Sequence, residues 1–302
     1  MTHSMSAPPA RPLTGCGTAL VTPFNAGGSI DEGALRALID WQIGEGVQFL
    51  VPCGSTGEAA TMSTEEQRRV VEITVSQAKG RVPIVAGAAS NDTAKAIALS
   101  NVMQDAGADY LLHTSPMYNK PPQRGIVAHY TAIARAVPLP IVLYNIPGRT
   151  GSNIEAKTTL ELSHIPSIVG IKEASGNLGQ MGDVIRGRPD GFCVLSGDDE
   201  LTLPLMALGG DGAISAVANL VPRGMQTICE RMRAGDVIGA QEMHFRMLPV
   251  MRAAFLESNP IPAKAALAMM GKVRNVLRLP LVPLSGTHEP ALRAALVAAG
   301  AL

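Results

Sequence analysis

The sequence predicts an α/β fold, a TIM (β/α)8 barrel with a C-terminal helical extension, on three observations. Eight short runs rich in apolar and β-branched residues recur along the chain, each followed by a longer stretch that reads as amphipathic helix. The runs are near-continuous in apolar residues, as parallel strands covered on both faces require. No G-x-G-x-x-G turn follows the first run and no P-loop occurs anywhere, which argues against the competing doubly wound sheet.

The strand-like runs are TALVT (18–22), VQFLVP (47–52), VPIVAG (82–87), ADYLLHT (108–114), PIVLYN (140–145), IVGIKE (168–173), FCVLSG (192–197) and GAISAV (212–217). Between them lie helix starts. Ser29-Ile-Asp-Glu and Ser63-Thr-Glu-Glu carry capping-box spacing, and Asn91-Asp-Thr opens a third helix. Gly44, Gly80 and Gly107 mark helix ends, where a left-handed C-cap is usual. After about Pro222 the strand-like runs stop. VPRGMQTICERMRAG reads as the last barrel helix, and three further helical stretches form the extension. The expected organisation is a loosely attached tail at 1–13, a barrel at 14–234 and the extension at 235–302. Met243, Met247, Met251, Met269 and Met270 recur at helical spacing and read as core packing.

Composition excludes several classes of function. The 25 basic and 25 acidic residues balance, and only five Phe, one Trp and four Tyr are present. A nucleic-acid partner needs a cationic surplus or stacking aromatics, so none is expected. No apolar run is long enough for a bilayer and the first residues lack a signal-peptide pattern, so no membrane partner is expected. Cys16, Cys53, Cys193 and Cys229 form no C-x-x-C pair, which fits a reduced, cytoplasmic protein. The six histidines show no ligand spacing, so no metal is expected.

A barrel does its chemistry at the C-terminal ends of its strands, and polar residues gather there. Lys172 closes the sixth run. Lysine is seldom buried without a purpose, and burial would yield the neutral amine that attacks a ketone. An ion pair with Glu173 is the alternative, and both remain open. Tyr144 ends the fifth run and suits proton relay or rim packing. Arg149 follows a Pro-Gly turn and suits a substrate carboxylate or a surface salt bridge. Gly54-Ser55-Thr56-Gly57-Glu58 reads as an anion-binding nest or an ordinary turn. Tyr118 sits on a proline-braced loop that could be a lid or a subunit contact. Asp198-Asp199 could hold Mg²⁺ but reads better as a cap for the following helix.

GSTGE, MYNKP, YNIPGRT, GIKEAS and SGDD occur in one order, with TALVTPF before and FLESNPIPAKAAL after them. Together they resemble the dihydrodipicolinate synthase and N-acetylneuraminate lyase superfamily over roughly residues 14–286. The resemblance implies a class I aldolase in which Lys172 forms a Schiff base with pyruvate and no other cofactor is needed. It implies that Tyr144, Ser55 and Tyr118 relay protons, with Tyr118 lent by a neighbouring subunit of a homotetramer, a dimer of dimers. Thr56 and the Ser55 backbone would hold the pyruvate carboxylate, and Gly197 and Ile214 would line the pocket through their backbones. Arg149 resembles the synthase branch, where it binds the carboxylate of L-aspartate 4-semialdehyde. The reaction implied is condensation to 4-hydroxy-tetrahydrodipicolinate, the first committed step towards diaminopimelate and lysine. A sugar-acid aldolase or lyase using the same lysine is the alternative, and a non-catalytic acid-binding barrel is a third reading.

Ser55 stands where the synthases usually carry Thr and keeps the hydroxyl; Met117 replaces a frequent Tyr. Ala59, Thr64, Gln67 and Lys95 replace the serine, two histidines and glutamate that bind inhibitory lysine in regulated members. Little inhibition by L-lysine is therefore expected.

Overall fold

The computed structural model describes residues 12–302. Most of the segment read as a tail lies outside them, but Leu13 is buried and packs into the barrel interior. The chain then alternates strand and helix: β1 (Gly15–Ala19), α1 (Glu32–Gly44), β2 (Phe49–Val51), α2 (Thr64–Ala78), β3 (Val85–Gly87), α3 (Thr93–Asp105), β4 (Tyr110–Thr114) and α4 (Gln123–Ala136). The second half continues with β5 (Ile141–Asn145), the short α5 (Pro147–Thr150), α6 (Ala156–Leu162), β6 (Ile168–Glu173), α7 (Leu178–Gly187), β7 (Cys193–Ser196), α8 (Thr202–Ala207), β8 (Gly212–Ser215) and α9 (Pro222–Arg233). Three helices follow: α10 (Val237–Ala253), α11 (Ile261–Met269) and α12 (Glu289–Ala299).

All strand pairs are parallel, in the order β2-β1-β8-β7-β6-β5-β4-β3. A parallel bridge between Leu50 and Ile84 joins the two ends and closes the barrel. Successive strand residues face opposite ways, so two apolar layers form. Phe49, Val51, Leu112, Val142, Leu195 and Ile214 fill the interior, while Leu50, Leu111, Leu143 and Ile171 pack outward under the helices. Gly17 makes room for the interior ring of Phe49, which a Cβ there would meet at 2.0 Å.

β6 spans the run read from the sequence, whereas β1 lies three residues earlier than TALVT. Val21 and Thr22 leave the ladder because Val21 N donates to Asn219 Oδ1 and Thr22 Oγ1 to Gly57 O. The Ser63 capping box is present, its hydroxyl accepting from Glu66 N and the Glu66 carboxylate from Ser63 N. The Ser29 box is not. Ser29 closes a turn with Asn25, and Asp31 caps α1 by accepting from Ala34 N at 3.0 Å. α1 ends at Gly44 as expected, but the left-handed glycine is Gly46, with φ +92°. Neither aspartate of the Asp198-Asp199 pair caps α8 through its side chain. All four cysteines are buried free thiols. Among the described residues no helix is long and apolar enough to cross a membrane.

Candidate active site

Lys172 is buried at the C-terminal end of β6, between Tyr144 of β5 and Leu195 of β7 in the ladder. The two side chains flanking it in sequence point the other way. Glu173, fully buried, accepts from Asn145 Nδ2, Gln180 Nε2 and the Ser175 amide at 2.7–3.2 Å. The Lys172–Glu173 pair left open by the sequence therefore does not form. Among the described residues the Lys172 amine makes no ion pair or hydrogen bond; it lies 4.3 Å from the centre of the Tyr144 ring.

Burial lowers the Lys172 pKa from 10.5 to about 8. The Asp199 charge opposes that shift and the Arg149 charge adds to it. Desolvation is thus the dominant cause, as for any cation deprived of water and of a close counter-ion. About one amine in ten is then neutral at pH 7, against about three in ten thousand for an ordinary lysine. The same burial raises the Tyr144 phenol above its usual range, so it stays protonated and able to donate.

The amine faces a small cavity of about 40 Å³, whose walls include Ser55, Thr56, Tyr144, Arg149, Gly197 and Asn259. A wider groove of about 560 Å³ shares Ser55, Tyr144, Arg149 and Asn259 and opens the site outward. Six of the eight site residues read from the sequence therefore meet in one place. Ile214 is part of the barrel interior cluster that includes Tyr144, but does not line the small cavity. Tyr118 lies apart. It is 87% exposed, has φ +73°, and its amide donates to Thr150 O at 3.1 Å. Gly197 has a steric reason to be glycine: a Cβ would stand 2.9 Å from Lys172 Cε and 2.8 Å from Ala174 Cβ.

Three contributors were not read from the sequence as site residues. Asp199 turns inward, accepting from Ser215 Oγ and, at 3.4 Å, from Val217 N. Burial raises its carboxyl to about 6. Asn259, between α10 and α11, donates to Thr56 Oγ1 and accepts from Arg149 Nη2, both at 2.8 Å. Glu58 has φ +55° and forms a fully buried ion pair with Lys264 of α11; it also accepts from Arg278 N at 3.0 Å. A left-handed non-glycine backbone costs of order 1 kcal/mol or more and persists only where its surroundings hold it. Here the C-terminal extension does so.

An unpaired, partly neutral amine beside a protonated phenol, hydroxyls and a guanidinium can capture a small keto acid and move protons around it. Comparisons with known proteins place the chain in a family. The model of the dihydrodipicolinate synthetase family matches residues 12–299. A 4-hydroxy-tetrahydrodipicolinate synthase of Maridesulfovibrio salexigens is 53% identical, covering 95% of this chain and 98% of the relative. Another, of Koribacter versatilis, is 50% identical over 96% and 97% of the two chains. Among solved structures, a monomeric dihydrodipicolinate synthase variant superposes with a TM-score of 0.95 at 38% identity, covering 96% of this chain and 98% of that one. The chloride-inhibited Acinetobacter baumannii enzyme in complex with pyruvate gives a TM-score of 0.94 at 42% identity, with 96% and 99% covered. On sequence and fold alike, the chain belongs to the dihydrodipicolinate synthetase family of barrel enzymes.

Proposed function

We propose that the chain condenses pyruvate with L-aspartate 4-semialdehyde through a Schiff base on Lys172, giving 4-hydroxy-tetrahydrodipicolinate. The observation that carries the proposal is the amine itself: buried, without a hydrogen-bond or ion-pair partner among the described residues, and aimed into a cavity lined by proton donors. The neutral amine adds to the pyruvate ketone, and loss of water leaves an iminium. Removal of a methyl proton gives an enamine, whose carbon attacks the aldehyde. The amino group of the semialdehyde then displaces Lys172 and closes the ring. Tyr144, Ser55 and the Tyr118 of a neighbouring chain pass the protons. Thr56 and the Ser55 amide hold the pyruvate carboxylate, and the backbones of Gly197 and Ile214 shape its pocket. Arg149 takes the second carboxylate.

The cycle needs no metal or organic cofactor, because the iminium is itself the electron sink. A homotetramer in the cytoplasm is the assembly we assign, in which the 87% exposed Tyr118 is available to be lent to a neighbouring chain. Borohydride added with pyruvate should leave a stable adduct on Lys172, and a coupled assay should show turnover with the semialdehyde. Turnover with a sugar-acid aldehyde instead would favour the lyase alternative, and no adduct would overturn the proposal.

A further inference from the structure

Thr56 and Asn259 are 203 residues apart in sequence and meet inside the site. Both are buried. The contact has a direction. An amide NH2 can only donate, so Thr56 Oγ1 receives the bond on a lone pair. The hydroxyl proton of Thr56 is thereby left free for an acceptor in the cavity. A carboxylate accepts and cannot donate, so a hydroxyl facing it must spend its proton there. The backbone carbonyl of Asn259 accepts from Arg149 Nη2, which fixes the segment itself.

From this geometry we infer that Asn259 is a positioning residue for the keto-acid carboxylate: it holds the Thr56 hydroxyl as a hydrogen-bond donor into the cavity. The inference rests on the function proposed above and adds a residue of the C-terminal extension to it. Asn259 makes no hydrogen bond to Lys172 or Tyr144. It works through Thr56, and its side chain, unlike its backbone carbonyl, makes no hydrogen bond with Arg149.

The effect should therefore split between substrates. In Asn259→Ala the KM for pyruvate rises about three- to tenfold, the range of one lost hydrogen bond, while kcat and the KM for the semialdehyde stay within about twofold. Asn259→Asp keeps the shape but can only accept, so it takes the Thr56 proton for itself. It should raise the pyruvate KM at least as far as alanine does. In a Thr56→Val background, Asn259→Ala should add less than about twofold, because the hydroxyl it acts through is gone.

Wild-type protein treated with pyruvate and borohydride is run alongside. No adduct on wild-type Lys172 would overturn the parent function. An adduct on wild type, with pyruvate KM unchanged in both Asn259 variants, would overturn this inference alone. So would parallel losses in kcat and both KM values, the mark of a merely loosened fold, or full additivity with Thr56→Val. Because Asp is isosteric with Asn, that variant gives the answer if the alanine chain fails to fold.

Discussion

Replacing Lys172 with methionine should make the protein more stable while abolishing the pyruvate adduct. The amine falls from 10.5 in the unfolded chain to about 8 when buried. At 1.36 kcal/mol per pH unit, keeping it charged inside the barrel costs about 3 kcal/mol. The pH dependence has a definite sign. Below about pH 8 the lysine is protonated in both states, and the folded state carries the whole penalty. Between 8 and 10.5 the folded form sheds its proton first, the unfolded chain binds more protons, and stability rises with pH. Above 10.5 the penalty has gone. Methionine fills similar space without a charge, so Lys172→Met should gain up to about 3 kcal/mol at pH 7 and only about 1.5 kcal/mol at pH 9.5. Urea unfolding of both proteins at the two pH values measures the difference, in which the titrating groups not coupled to Lys172 cancel; Asp199, whose carboxyl the amine's charge helps keep ionised, adds a smaller contribution. A variant no more stable than wild type at pH 7, or an advantage that does not shrink at pH 9.5, would refute the reasoning.

Gly197→Ala should cost about 1–3 kcal/mol in thermal or urea unfolding and slow borohydride-trapped adduct formation at least about tenfold, because the new Cβ stands 2.9–3.0 Å from the stem of Lys172. Glu58→Ala strands the Lys264 cation away from water and should cost about 3–5 kcal/mol. The double variant Glu58→Gln with Lys264→Met should unfold later than Glu58→Ala, since it leaves no uncompensated charge. L-lysine at submillimolar concentration should leave steady-state turnover unchanged, because Lys95 presents a cation where regulated relatives carry a carboxylate; a clear loss of rate would contradict this.

How much the residues disclosed depended on how local the cause was. Lys172, Tyr144 and the glycine-rich loop end apolar runs, and parallel strands force those ends onto one rim, so short motifs sufficed to find them. β6 could be delimited because its run is apolar up to the lysine. β1 could not, because Val21 and Thr22 look like strand yet turn aside to bond Asn219 and Gly57, partners chosen by the fold. Two serines offered the same capping pattern, and only Ser63 forms the box, because Ser29 is already committed to the turn with Asn25. Asp199 was read as a helix cap because carboxylates before helices usually are; its inward turn to Ser215 depends on β8 lying beside β7. Asn259 and Lys264 act on residues some two hundred positions away, and no window along the chain could connect them.

That separation sets an order of events during synthesis. The ribosome releases the lysine and the glycine-rich turn long before the segment that Thr56 and Glu58 wait for. Until those last helices emerge, the turn lacks its counter-charge and its amide, and its left-handed Glu58 has nothing to hold it. A half-made polypeptide can thus collapse around apolar strands without sequestering a metabolite. Competence arrives only once Asn259 and Lys264 have been added, so termination before them should yield chains that are compact but inert.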